Sequence, residues 1–142
     1  DVVIIDCGAG IAEGVVFLGG VAEERLIVVT PEPTALVDAY AMAKAVSDAG
    51  HRSVDVVVNC ALTQIEAQCC FGKLEAVASR FLPLELRYAG TIPRDDAVRR
   101  AVMGRRPVVV DAPAARASQA LVRLEHRLRV GAGSDVASVG LP

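Results

Sequence analysis

Runs of apolar residues, each stopped by a polar residue or a glycine, recur along the chain and predict its elements in order. Val2 to Ile5 is a continuous β-branched run, the pattern of a strand buried on both faces of a parallel sheet. It stops at Asp6, Cys7 and Gly8, and Ala12 to Gly20 predicts a short helix rich in small residues. Leu26 to Val29 predicts a second buried strand. It ends in Thr30-Pro31-Glu32-Pro33-Thr34, whose prolines fix an extended loop and whose Thr34 can N-cap a helix. Leu36, Val37, Tyr40, Ala41 and Ala43 to Val46 are the apolar positions of that helix, which runs to Ala49 and stops at Gly50. Val54 to Val58 is the third strand, ending in Asn59. Thr63-x-x-Glu66 forms a capping box for a long helix from Thr63 to Phe81, closed by Pro83. Leu84 to Tyr88 predicts a fourth strand leading into Gly90-Thr91-Ile92-Pro93. Asp95 or Asp96 caps a helix to Met103, closed by Gly104. Pro107 to Val110 predicts a last short strand, and Ala114 to Val130 a final helix.

Strands and helices alternating in this way predict an α/β fold, a mostly parallel sheet with helices on both faces. One domain spans residues 1–130, and residues 131–142 form a Gly- and Ser-rich flexible tail. The 142 residues suit a single core. Although 53% of residues are apolar, no uninterrupted apolar run is long enough for a membrane-spanning helix. Cys7, Cys60, Cys69 and Cys70 lack the spacing of zinc ligands and read as incidental reduced thiols.

Charge changes the picture more. Residues 1–93 carry 12 acidic and 6 basic groups, whereas residues 94–129 carry 9 arginines against 4 acids. A basic C-terminal third suits phosphate, nucleic acid or acidic lipid, and a solvated helix face explains it equally well.

The candidate chemistry lies at strand ends. A carboxylate at the end of a buried parallel strand, here Asp6, sits where open α/β sheets bind ligands. Gly8 and Gly10 permit close backbone approach or a positive φ. Four apolar residues, an acid and a glycine-containing turn are how nucleotide hydrolases place a carboxylate beside Mg²⁺ and the attacking water. The same Asp-x-Gly pattern also serves to cap the next helix. Asn59 offers both a donor and an acceptor, as an adenine edge requires, yet suits a turn after a strand equally. Pro93 and Asp95, taken singly, are a helix start.

Taken together, Asp6-Cys7-Gly8-Ala9-Gly10-Ile11, Val28-Val29-Thr30-Pro31-Glu32-Pro33-Thr34 with Asp38-Ala39-Tyr40, Val56-Val57-Val58-Asn59, and Gly90-Thr91-Ile92-Pro93-x-Asp95-x-x-Val98-x-x-Ala101 resemble the MinD/ParA class of P-loop ATPases. The D-x-G-A-G-I form, Thr-Pro-Glu-Pro-Thr, and Phe71-x-Lys73-Leu74 with Arg80-Phe81-Leu82 are similar to the flagellar-number regulators of the FlhG/FleN type. The resemblance covers residues 1–128. It implies ATP and Mg²⁺ as cofactors of the full-length family, with Asp6 as the catalytic and metal-side carboxylate. It implies Gly8, Ala9 and Gly10 as the segment sensing the γ-phosphate. Asn59 would bind the adenine edge, Pro93 with neighbours including Asp95 would line the base pocket, and Glu32 would lie near the ribose across a dimer. It further implies a homo-oligomer, a flagellar or transcriptional regulator protein as partner, and a cytoplasmic location with peripheral attachment to the inner face of the cell membrane. Nucleic acid is not the expected partner.

The family's glycine-rich phosphate loop is missing: nothing in the sequence fits G-x-x-x-x-G-K-[ST], and Lys44 and Lys73 fall mid-helix. The opening residue, Asp1, already lies in a predicted strand, which points to a longer parent. The expected fold is therefore P-loop NTPase-like without its first strand and phosphate loop. This chain alone is expected not to hydrolyse ATP and to bind it weakly at most. The family places the missing strand between residues 1–6 and 25–30, so these are expected to pair with each other or with another chain. Leu121, Val122, Leu124 and Leu128 form an apolar stripe expected to pack on the sheet. Two other readings stay open: a non-catalytic interaction domain, and a ParA-like DNA-associated ATPase built on Arg94, Arg99, Arg100, Arg105, Arg106 and Arg116.

Overall fold

The computed structural model describes residues 2–8 and 22–134. Three parallel strands, β1 (Leu26–Val29), β2 (Ser53–Ala61) and β3 (Glu85–Pro93), form one sheet in the order β1-β2-β3. Helices α1 (Pro33–Asp48) and α2 (Gln64–Phe81) follow the first two strands, and α3 (Asp96–Met103), α4 (Val108–Asp111) and α5 (Arg116–Ser134) follow the third.

The predicted α/β class holds, and burial shows why. Residues 54–58 of β2 are all buried, as a strand with two neighbours and two covered faces demands. On one face Ile27, Val29, Val54, Val56 and Val58 meet the buried stripes of α1 (Ala39, Ala43, Val46) and α2 (Ala67, Cys70, Leu74, Ala78). Those stripes repeat at helical spacing, and their alanines let each helix lie close to the sheet. On the other face α5 packs over β3 through Ala117 and Ala120. Leu121, Leu124 and Leu128 continue the stripe half-buried, while Val122 points away at 59% exposure.

Several expectations need correction. Val2 to Ile5 does not form a strand: residues 2–8 are irregular and Ile4 is 90% exposed. A parallel strand requires a neighbour, and β1 hydrogen-bonds to β2 rather than to residues 2–5. The predicted helix at Ala12 to Gly20 lies outside the described residues, as does the tail from 135 onward, while α5 continues through Ser134. Thr34 does not cap α1, because Pro33 occupies the first turn and Glu32 is the N-cap. Pro107 to Val110 is not a strand. Pro107 instead N-caps the short helix α4, fastened by the Ser118 hydroxyl, whose one proton lies within reach of the carbonyls of Ala112 (2.7 Å) and Val108 (3.1 Å). With no sheet edge beside it, this β-branched run follows its tertiary contacts rather than its propensity.

The capping box at Thr63 forms nearly as predicted. The Thr63 hydroxyl accepts from the Glu66 amide at 3.1 Å, and the Glu66 carboxylate accepts from the Leu62 amide at 2.6 Å, one residue earlier than the usual partner.

Beneath the sheet's opposite face, Asp55 and Arg87 are register partners across β2 and β3. Arg87 Nη2 donates to Asp55 at 2.8 Å and to Glu24 at 3.4 Å, tying the segment before β1 to both longer strands. Asp55 is buried, so its loss leaves the guanidinium with one long contact. Asp55→Ala is expected to lower unfolding free energy by about 1–3 kcal/mol, read as a lower urea midpoint at unchanged slope.

Candidate functional site

At the carboxyl edge of the sheet, the ends of β2 and β3 separate the start of α2 from the start of α5. A cleft of about 280 Å³ opens there. Ala61 and Pro93, which are register partners, form its floor, Thr63 and Gln64 one wall, and Arg116, Gln119 and Arg123 the other. A second cleft of about 230 Å³ shares Thr91 and Arg123 with the first and continues along α5 to Arg127. Residues 116, 119, 123 and 127 recur at helical spacing, so α5 lines both clefts with one polar, cationic row.

Two β-bulges shape the floor. Val56 pairs with Tyr88 and Val57 with Gly90, leaving Ala89 as an extra residue; Asn59 pairs with Ile92 and Ala61 with Pro93, leaving Cys60 extra. Gly90 has φ 141° and Cys60 has φ 59°. For Cys60 this is the left-handed region, stabilised here by the Asn59 side chain, whose Oδ1 accepts from the Cys60 amide at 2.9 Å. Tyr88 ties the Gln64 wall to β3: its hydroxyl hydrogen-bonds with the Thr91 hydroxyl and accepts from Gln64 Nε2 at 3.3 Å. The Tyr88 ring stacks at a tilt on Phe71, centroids 5.0 Å apart.

Of the residues singled out from sequence, the structure gathers Asn59, Pro93 and Asp95 at adjoining strand ends, and Pro93 lines the cleft. Glu32 follows β1, on the far side of β2, and its carboxylate accepts from the Thr30 hydroxyl at 2.6 Å. Asp6 is exposed in a local turn, where its Oδ1 accepts from the Gly8 amide at 3.0 Å and Gly8 has φ 71°. Ala9 and Gly10 lie outside the described residues. Gln64, Tyr88, Thr91, Gln119 and Arg123 were not singled out for the site. The spacing of 116, 119 and 123 on one helix was the available signal.

Among the described residues no group of three or more His, Cys, Asp or Glu side chains could by itself hold a metal, Asp6 included. Lys44 and Lys73 are exposed on α1 and α2. What the site offers is a set of side-chain donors and acceptors around a small open cleft. The cysteines are free, and burial is the main effect raising the pKa of the Cys70 thiol, which argues against an activated thiolate.

Asp95 joins the site to the fold. One carboxylate oxygen accepts from the Ala97 amide at 2.9 Å in α3 and the other from the Ala117 amide at 3.2 Å in α5, so one side chain serves two helix N-termini. The Ala97 N–H, then the Ala117 N–H, hold its carboxyl below the usual carboxylate range, with Arg116 adding to the effect against partial burial. Because the folded pKa is depressed, this stabilisation is complete above the unfolded value of about 3.9 and is lost as pH falls through the folded one. Asp95→Asn is expected to lower the melting temperature at neutral pH and to flatten its decline in acid, checked by melts between neutral and strongly acidic buffers.

No family model matches the chain. It is 41% identical over 129 residues to the antiactivator FleN of Pseudomonas aeruginosa, covering 90% of this chain and 46% of that protein. It is 32% identical over 129 residues to the chloroplastic septum site-determining protein MinD homologue of Arabidopsis thaliana, covering 90% of this chain and 38% of that one. The chain thus spans less than half the length of these relatives. With motifs in order at the ends of β1, β2 and β3, the matches support a MinD/ParA-class assignment of the FlhG/FleN type for the residues they cover.

Proposed function

We propose that this chain is the base-side and switch portion of a MinD-like ATPase that regulates flagellar number or placement, working through an ATP-dependent dimer that presents a surface to a regulatory protein. The observation that carries this reading is the 41% identity to FleN, an antiactivator, across 90% of the chain. In this reading Asn59 binds the adenine edge. Its amide N–H₂ has no hydrogen-bond partner among the described residues, and Oδ1 keeps a lone pair beyond its bond to Cys60. Pro93 and Asp95 frame the base, Glu32 faces the ribose across the dimer, and Asp6 with Gly8, Ala9 and Gly10 forms the switch. ATP and Mg²⁺ belong to the complete protein. No hydrolytic step is assigned to the described residues. In this reading the complete protein is cytoplasmic, and any attachment to the inner face of the cell membrane is made through the parent protein rather than through these residues. No described helix is long and apolar enough to cross a membrane.

A second reading is a non-catalytic interaction domain that uses the same fold as a scaffold. Calorimetry with ATP and Mg²⁺ on residues 1–142 and on the product of the complete reading frame separates the two. The switch reading expects binding and turnover by the complete product, weak binding without turnover by residues 1–142, and at least about tenfold weaker ATP binding by the complete product carrying Asn59→Ala, or about 1.4 kcal/mol. A complete product that neither binds nor hydrolyses ATP establishes the interaction domain instead.

A further inference from the structure

Away from the cleft, α3, α4 and the loop joining them carry a charged and apolar surface that neither the fold nor the nucleotide reading uses. Residues 94–111 hold five arginines and three aspartates. Asp95 is committed to two helix N-termini, and Asp111 pairs with Arg106 at 3.3 Å. Asp96 is exposed in the first turn of α3 without an ion pair among the described residues, so the five arginines outnumber the aspartates by two. Arg99, Arg100 and Arg105 are exposed, and no carboxylate among the described residues lies within ion-pair distance of them. Apolar side chains stand among these arginines. Val102 is 70% exposed and Met103 76%, and Val110 is 63% exposed on α4, which touches α3. The buried side of α3 is supplied by Ala97 and Ala101, so Val102 and Met103 are not needed for its packing.

The loop adds an independent sign. Arg105 has φ 52°, and the amides of Arg105 and Arg106 bond back to the carbonyls of Val102 (3.0 Å) and Ala101 (2.9 Å). This is a Schellman closure with an arginine at the position usually given to glycine, although Gly104 is its immediate neighbour. The chain keeps a guanidinium where local stability favours no side chain, and such strain collects at functional positions.

We propose that this surface docks an acidic amphipathic segment of a protein partner, with carboxylates meeting Arg99, Arg100 and Arg105 and large apolar side chains covering Val102, Met103 and Val110. Charge selects the sign of the partner, since the patch retains uncompensated cations. The interleaved apolar groups select its class. A duplex backbone would leave Val102 and Met103 uncovered. A bilayer would require a longer apolar face than three side chains, with aromatic residues that the patch lacks. Arginine and methionine are enriched in protein interfaces. The proposal goes beyond the ATPase reading and stands without nucleotide.

The test is fluorescence anisotropy of a labelled peptide with leucines at helical spacing and glutamates elsewhere, titrated with the full 142-residue chain. A scrambled peptide of the same composition, anionic phosphatidylglycerol vesicles and a short DNA duplex are run beside it. The proposal expects salt-sensitive binding of the amphipathic peptide, with at least about tenfold weaker binding for Arg100→Glu and for Met103→Asp at unchanged circular dichroism. Arg105→Gly gives the discriminating result: a higher melting temperature together with weaker peptide binding. Equal binding of the scrambled peptide, unchanged affinity in the variants, or tighter arginine-dependent binding of vesicles or duplex each overturns the proposal.

Discussion

β2 has a hydrogen-bonded neighbour on each side, so it has no edge through which water can reach its backbone, and both its faces must be covered by something else. That requirement organises the molecule. It accounts for the uninterrupted burial of residues 54–58, for α1 and α2 on one side, and for the return of α5 across the other. It also fixes where chemistry can sit. A strand covered along its length exposes polar groups only where it ends, and Asn59, Ala61 and Pro93 come out together at that end because β2 and β3 run parallel.

Asp95 carries the same logic into the helices. The N-termini of α3 and α5 lie far apart in sequence, yet one carboxylate accepts from both. The loop that holds Pro93 at the cleft floor is thereby anchored to the helix that supplies Arg116, Gln119 and Arg123. A local cap and a tertiary tether are one interaction here. The role of Asp95 as a cap and its place beside the cleft are therefore compatible.

Elements whose physics is local were legible in the sequence. The Thr63 cap with α2, the Val54–Val58 core of β2 and the Asp95–Met103 helix all depend on nearby spacing and side-chain oxygens. Val2–Ile5 and Pro107–Val110 were misread because a β-branched run reports a preference for cover or pairing, and only a distant neighbour decides whether a ladder forms. The site divides similarly. Pro93, which lines the cleft, was visible as part of a motif that ends a strand, with Asn59 and Asp95 at the adjoining strand ends. Tyr88 reaching Gln64, 24 positions away, depends on how α2 lies on the sheet, which no local pattern encodes.

Most residues facing the sheet from α1 and α2 are alanines, and Ala43, Ala67 and Ala78 are wholly inaccessible. The spacing between helix layer and sheet is therefore set by methyl groups, with little room for anything larger. Overpacking such a contact costs roughly 1–3 kcal/mol, a sizeable part of the margin of a small domain. Over evolutionary time these inconspicuous alanines should be harder to replace than many of the chain's larger apolar residues. Exposed positions such as Val37 and Phe81 can drift, whereas a single added methylene at Ala67 would press on the strand that orders everything else.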